Sequence, residues 1–356
     1  MSADPPYPEI KKSHTMAHTG RPWRDYKPPP SGPVWAVITA GNTYWMLVAA
    51  IDLGIFDALE ELGKQRVDAL AEHLQLSQTH LQNLLDCMVT LGFLDQLHDD
   101  YELTETAERY LCRSGAASMA SLVRVSPGPL ENWINLAETI RAGKVAVPIE
   151  NDIAGFYGPL VEATFPTQHR VATRLGWRLG WERTPGMRIL DVGAGCAPWA
   201  IAAMEQSPNS RAVINDLPEI IGLAEAMVEA RGLSARSEFR PGNFHEIPFE
   251  EEAYDLIALG HICRTEGPQL TQDLIARAVK ALRPGGKLLV ADYFADNDRK
   301  MNAFGVHMGM TMLANTLRGC ILTHEQMYDW LSSQALETIR MIEPIGFNMV
   351  YVASKK

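Results

Sequence analysis

The chain has 356 residues, 46% hydrophobic and 21% charged, which is enough for one large and one smaller domain of an ordinary globular enzyme. A formal net charge of -11 disfavours nucleic acid and anionic membranes as partners, because neither surface attracts an acidic protein. The five scattered cysteines (Cys87, Cys112, Cys196, Cys263, Cys320) lack metal-ligand spacing and read as reduced thiols of a cytoplasmic protein without a metal.

The opening MSADPPYPEIKKSH lacks the apolar core of a secretory signal, and residues 1–32 read as an extended arm ending in KPPPSGP. The longest apolar run, YWMLVAAI at 44–51, is too short for a bilayer span. From Val34 to Leu62 the spacing is helical, with Gly54 marking a break. Two short amphipathic helices follow, the second capped by Ser77, and then GFLDQ and DDYELT as strands joined by an Asp-Asp turn. That order is a winged helix. Its would-be recognition helix, THLQNLLDCMVTLGF, contains no Lys or Arg, so residues 33–115 are expected to serve dimerisation and to cover a site.

Residues 116–182 read as linker helices with breaks at SPGP and AVP. Their aromatics at helical spacing suit a core, and Trp133, Tyr157 and Phe165 are candidates for a pocket lining. From residue 183 to the end, strands and helices alternate. MRILDVGAG, RAVINDLP, SEFRPGN, YDLIALGH and RPGGKLLVADYF are strands, and residues 338–353 supply further strand material. The fold class is therefore α/β: a Rossmann-like doubly wound sheet preceded by a mostly helical winged-helix domain, with ligands at the strand carboxyl ends.

The first strand ends in Asp191, Gly193 and Gly195, whose glycines let a ligand approach the backbone. Pro198 occupies the third glycine position of a dinucleotide motif, which favours a nucleoside cofactor without pyrophosphate. Asp216, followed by Leu217, stands where a carboxylate binds ribose hydroxyls, although Asp also caps helices. Gly242-Asn243-Phe244 offers an amide and a ring for an adenine.

The ordered series DVGAG, NDLP, PGNF and LRPGGKLLV resembles the class I S-adenosylmethionine-dependent methyltransferases. With GNTYWMLVAAIDLGIFDAL ahead of it, about 320 residues resemble the dimeric small-molecule O-methyltransferases of plants and bacteria. The resemblance implies S-adenosylmethionine as cofactor, S-adenosylhomocysteine as product, no metal, and a homodimer built through the N-terminal domain. It places Gly193, Asp216, Asn243 and Phe244 on the cofactor, with Asn243 replacing the more usual Asp. Asp191, Gly195, Leu217, Gly242, Gly260 and His261 complete the expected cofactor set.

In that family the fourth strand ends in a stretch resembling VLHDW, whose His deprotonates the acceptor hydroxyl. Here ALGHICRTEG sets Arg264 at that position, followed by Thr265 and Glu266. Arginine stays charged and cannot be the base. Its guanidinium is either a carboxylate receptor or a structural ion pair with Glu266 or Asp292. The first option suits an acceptor that needs no proton removed. The expectation is S-methylation of a small carboxylate thioether such as 4-methylthio-2-hydroxybutyrate, in the manner of the methylthiohydroxybutyrate S-methyltransferases of dimethylsulfoniopropionate biosynthesis. The alternative is O- or C-methylation of an aromatic or polyketide natural product, with His261 or His307 as base. His307 lies in MNAFGVHMGMTMLANTL, where Met312-Leu313 resembles the family's ML pair near the acceptor. Met308 and Met312 are pocket candidates there, against the plainer reading of core methionines.

Overall fold

The computed structural model describes residues 31–115, 117–126 and 128–356. The expected arm lies outside them except at its end, where Gly32 already belongs to a helix. The N-terminal unit runs α1 (Gly32–Asp52), α2 (Ile55–Leu62), β1 (Gln65–Arg66), α3 (Val67–Leu74), α4 (Gln78–Thr90), β2 (Leu94–Leu97), β3 (Asp100–Leu103) and α5 (Glu105–Tyr110). Gly54 sits in the left-handed region at φ 71°, and there the chain turns from α1 into α2. The small sheet has the order β1-β3-β2, so the winged-helix reading holds. Two details differ. The wing turns at His98 and Asp99, since Asp100 already pairs with Leu97. Ser77 occupies the cap position of α4, but its hydroxyl meets the His80 ring at 2.9 Å instead of capping the backbone.

One expectation fails on α1. The helix continues N-terminally through Val34, Trp35, Val37 and Ile38; it is 21 residues long and holds an 18-residue window of mean hydropathy 1.5, which matches a membrane-crossing helix in length and composition. Counting only the uninterrupted run at 44–51 missed this, because Gly41, Asn42 and Thr43 divide two apolar halves of one helix. Only Ala50 and Ile51 of α1 are buried, and Trp35, Ile38 and Trp45 stay at least half exposed.

Between the units come α6 (Ala120–Val125), α7 (Leu130–Ile134), α8 (Leu136–Ala142) and the long α9 (Ile153–Leu179), which carries Pro159 and Pro166. The C-terminal unit follows as β4 (Arg188–Val192), α10 (Pro198–Gln206), β5 (Arg211–Asp216), α11 (Ile221–Ala230), β6 (Ser237–Pro241), β7 (Tyr254–Gly260), α12 (Cys263–Ala281), β8 (Leu282–Asp292), α13 (Ala303–Asn315), α14 (His324–Ser332), β9 (Leu336–Ile345) and β10 (Asn348–Lys355).

The sheet order is β6-β5-β4-β7-β8-β10-β9. β4 through β8 are parallel, and β10 pairs antiparallel with both β8 and β9. The central strand is buried on both faces; Asp191 interrupts its apolar run, while Ile189 packs into one core and Leu190 and Val192 into the other. Each such side chain contributes about 1.5–3 kcal/mol of burial. The chain winds outward from β4 in one direction, then restarts at β7 in the other. The ends of these two adjacent strands form the switch point where α/β sheets bind ligands.

Candidate active site

Residues that the sequence separates by up to 70 positions converge at the ends of β4, β5, β6 and β7. Val192 pairs with Leu259, so the turn at Gly193 lies beside Gly260. Gly193 has φ 59°, and a Cβ there would stand 2.9 Å from Ile262 Cγ2 and 3.4 Å from Phe244 Cε1. A Cβ on Gly260 would strike the Trp199 indole at 2.3 Å. Side chains at either place would fill the cradle, so both positions need glycine. Pro198 opens α10, as its fixed φ suits, directly after Ala197 in the left-handed region.

The Asp216 carboxylate accepts from Gly195 N at 2.6 Å and from Leu217 N at 2.7 Å. It does not cap α11, whose first residue is Ile221. Burial raises its pKa, while the two backbone N–H groups work against that rise. Asp191 lies beneath the same loop, fully buried. One of its oxygens accepts from Ala200 N at 2.9 Å and the other, Oδ1, is unpartnered. Burial pushes it up to about 8. Asn243 Oδ1 accepts from His245 N, which fixes the turn after β6 and sets Phe244 near Gly193. Arg277 holds that turn from α12 through the Phe244 carbonyl. These residues fit a nucleoside cofactor: a side-chain-free loop, a carboxylate at the ribose position, a ring beside the glycine turn, and an orphaned buried carboxylate oxygen. S-adenosylmethionine there supplies an electrophilic methyl group on a sulfonium.

The acceptor side is built around the end of β7. The strand stops at Gly260, and His261 takes a left-handed φ of 63° while donating its N–H to Ala291 O. The chain then turns into α12, interrupted at Gly267, so Arg264 comes back over His261 instead of pointing to the opposite face. Arg264 Nη1 donates to Asp292 Oδ1 at 2.6 Å, and to the carbonyl and Nδ1 of His261 at 3.2 Å each. Asp292 is wholly buried at the end of β8 and also accepts from the backbone of Arg264 and Tyr293. Arg264 lies over the Tyr293 ring at 5.0 Å. The expected carboxylate receptor is thus an intramolecular ion pair. Its partner is Asp292, while Glu266 pairs with His245 at 2.7 Å.

The remaining candidates divide. Tyr157, on α9, is half-buried and within electrostatic reach of Arg264, Glu150 and Asp216, and burial above all raises its pKa well beyond that of a free phenol. Trp133 is half-buried on α7, a helix tied to α13 by the Asn132–Asn315 hydrogen bond of 3.0 Å. Phe165 is a correction: it is buried in the main core, stacked on His169 and covered by Arg231. Met312 is buried and Met308 half-buried on α13. His307 lies on an exposed face of α13, so the base role expected for it loses its support.

Sequence reading missed Tyr293, Gln168 and Asn348. Gln168 Nε2 donates to Tyr293 Oη at 3.4 Å and to Asn348 Oδ1 at 3.3 Å. An aromatic wall continues from His261 to Tyr293 (4.7 Å between centroids), Phe304 (5.0 Å) and Phe347 (4.3 Å). The alternation of polar and aromatic residues in ADYFADN was the available signal.

Comparison with known proteins agrees with this geometry. Residues 184–335 match the O-methyltransferase domain, and residues 42–113 the O-methyltransferase dimerisation domain. The tetracenomycin polyketide synthesis 8-O-methyl transferase TcmO of Streptomyces glaucescens is 26% identical over 322 residues, 87% of this chain and 92% of that protein. Acetylserotonin O-methyltransferase of Bos taurus is 27% identical over 293 residues, 76% of this chain and 82% of that one. Among solved structures, human N-acetylserotonin methyltransferase in complex with SAM superposes with a TM-score of 0.77 at 22% identity, over 93% of this chain and 99% of its own. An O-methyltransferase family protein from Burkholderia thailandensis gives 0.76 at 19% identity, over 93% and 99%.

Proposed function

We propose that this chain, which belongs to the S-adenosylmethionine-dependent O-methyltransferase family and carries its dimerisation domain, methylates a hydroxyl of an aromatic or polyketide-type small molecule as a homodimer. The observation that carries the acceptor class is the row of rings from His261 through Tyr293, Phe304 and Phe347, an aromatic lining that starts at the end of β7 beside the cofactor cradle. The similarity to TcmO, a polyketide 8-O-methyl transferase, supports the same class. S-methylation of a carboxylate thioether rested on an available guanidinium. Arg264 is already paired with Asp292 through Nη1, and the relatives described above are named for O-methylation, so that reading is not supported.

On this reading Asp216 receives the ribose hydroxyls, Gly193 and Gly195 admit the cofactor backbone, and Phe244 stacks on its base. The protein then aligns the acceptor oxygen with the methyl carbon, since holding the reacting atoms in line is a major part of the rate. The homodimer is supported by the apolar face of α1, where Val34, Trp35, Val37 and Ile38 lie exposed on a single chain. The test is a labelled-methyl transfer screen of hydroxylated naphthoates, anthraquinones and indoles beside small thioether acids. Transfer to the hydroxyl compounds is expected, and transfer to thioethers alone overturns the proposal.

A further inference from the structure

Three polar atoms around the end of β7 are buried and have no hydrogen bond among the described residues: His261 Nε2, Arg264 Nε and Gln168 Oε1. Unsatisfied buried groups gathered in one place point to a ligand that completes them. The first two sit on residues in direct contact, and their chemistry is fixed by that contact. A guanidinium only donates, so the bond from Arg264 Nη1 to His261 Nδ1 makes Nδ1 the acceptor. The imidazole therefore keeps its proton on Nε2. Its single basic lone pair faces a permanent cation. Asn348 interacts with the ring in the sense that favours its protonated form, but no hydrogen bond of normal geometry reaches Nε2.

The groups facing His261 are Arg264 from α12, Asp292 at the end of β8, Tyr293 directly after it and Asn348 of β10, and none of them is a free base. Both Asp292 oxygens are engaged by Arg264, and Oδ1 also by Tyr293 N. Tyr157 stays protonated. What the surroundings offer an acceptor is donors: His261 Nε2–H and Arg264 Nε–H.

We propose that His261 serves the acceptor as a neutral hydrogen-bond donor, locked in its Nε2–H tautomer by Arg264, and that the acceptor is a planar hydroxyl compound already ionised when it binds. This rests on the O-methylation reading above and narrows it to vinylogous acids, such as enolised 1,3-dicarbonyls and hydroxyquinones. The step balances without a base. The anionic oxygen forms its bond to the methyl carbon as the carbon–sulfur bond breaks, the electron pair returns to sulfur, and the two opposite charges disappear together. Burial first, and Arg264 second, hold the His261 pKa down to about 4, which agrees with a ring that never takes up a proton near neutrality.

Two measurements test this. In the free protein with nitrogen-15 histidine, the His261 ring is expected in the Nε2–H form with no titration above about pH 5. The Nδ1–H form, or a titration between about pH 6 and 7, overturns it. With loaded enzyme, kcat/KM for a hydroxyquinone ionised below about pH 5 is expected to be flat from about pH 6 to 8, and an ordinary phenol is expected to react about 10²–10⁴-fold more slowly. His261→Phe should lose about 10²-fold, and His261→Gln, which keeps a donor, should recover to within about tenfold. Glu150 Oε2 is also buried and unpartnered, so it is the rival base. An acid limb abolished by His261→Gln or by Glu150→Gln overturns the proposal. Absence of transfer to any hydroxyl compound, with the tautomer as stated, instead overturns the O-methylation reading.

Discussion

Arg264 and Asp292 meet at 2.6 Å across 28 positions of sequence, with the carboxylate wholly buried and the guanidinium almost so. Removing one member of such a pair leaves the other charge in a medium that cannot solvate it, at about 3–5 kcal/mol. Asp292 keeps two backbone donors when Arg264 is lost, which sets the expectation for Arg264→Met at the lower end, about 3 kcal/mol. The paired variant Arg264→Met with Asp292→Asn should regain most of that loss in urea unfolding. Strictly additive losses would mean that the two groups do not depend on each other.

A second consequence concerns Gly193. At φ 59° any side chain is strained, and an alanine Cβ would press on Ile262 and approach Phe244. Both contacts border the cofactor cradle, so Gly193→Ala should weaken cofactor binding by about tenfold or more, with about 1–2 kcal/mol of stability lost. Calorimetric titration with S-adenosylhomocysteine measures the first and thermal unfolding the second. Unaltered affinity would move the cofactor away from this loop.

The same residues show what a sequence discloses. DVGAG, the terminal Asp216 and the strand–helix alternation were legible because each depends on near neighbours in the chain: a buried parallel strand is an apolar run, and a turn that a ligand must approach needs glycine. Arg264 was legible as a departure from the family's His, but its engagement was not, since Asp292 reaches it only after a helix and a full strand. Ion pair and carboxylate receptor require the same residue type, and only the fold separates them. His261 was placed near the strand end correctly, yet its contact with Arg264 follows from the reversal of chain direction at φ 63°, which no spacing announces. His307 failed for a related reason, because helical periodicity says which residues share a face and leaves open which way that face looks.

The exposed face of α1 leads to a third expectation. Val34, Trp35, Val37 and Ile38 are all at least half exposed on the single chain, a density of apolar side chains that a protein in water covers. If a second copy covers it, Trp35→Glu with Ile38→Glu should convert a dimer to a monomer in light scattering after size exclusion, with the C-terminal unit still folded by near-ultraviolet circular dichroism. A monomeric parent protein, or a charged variant that stays dimeric, would place the interface elsewhere.

The last expectation is a pH dependence carried by Asp191. Its folded pKa is raised by burial from 3.8 to about 8, and the backbone bond from Ala200 only partly opposes this. A raised carboxyl pKa means that the native state retains a proton which the unfolded chain has already released. Its favourable contribution is therefore complete below the unfolded value and is lost as pH climbs through the folded one, at a slope approaching about 1.4 kcal/mol per pH unit between about pH 4 and 8. His261 acts with the opposite sign: its lowered pKa makes stability fall as pH drops from 6.5 towards about 4. The two overlap in a simple titration of the wild type, so the informative quantity is the difference from Asp191→Asn, which keeps the acceptor for Ala200 N and cannot ionise. Urea unfolding at about pH 5, 6.5 and 8 should show the Asn variant gaining on the wild type as pH rises. A constant difference would mean that Asp191 is ionised throughout, and that its orphaned oxygen is solvated in the native protein.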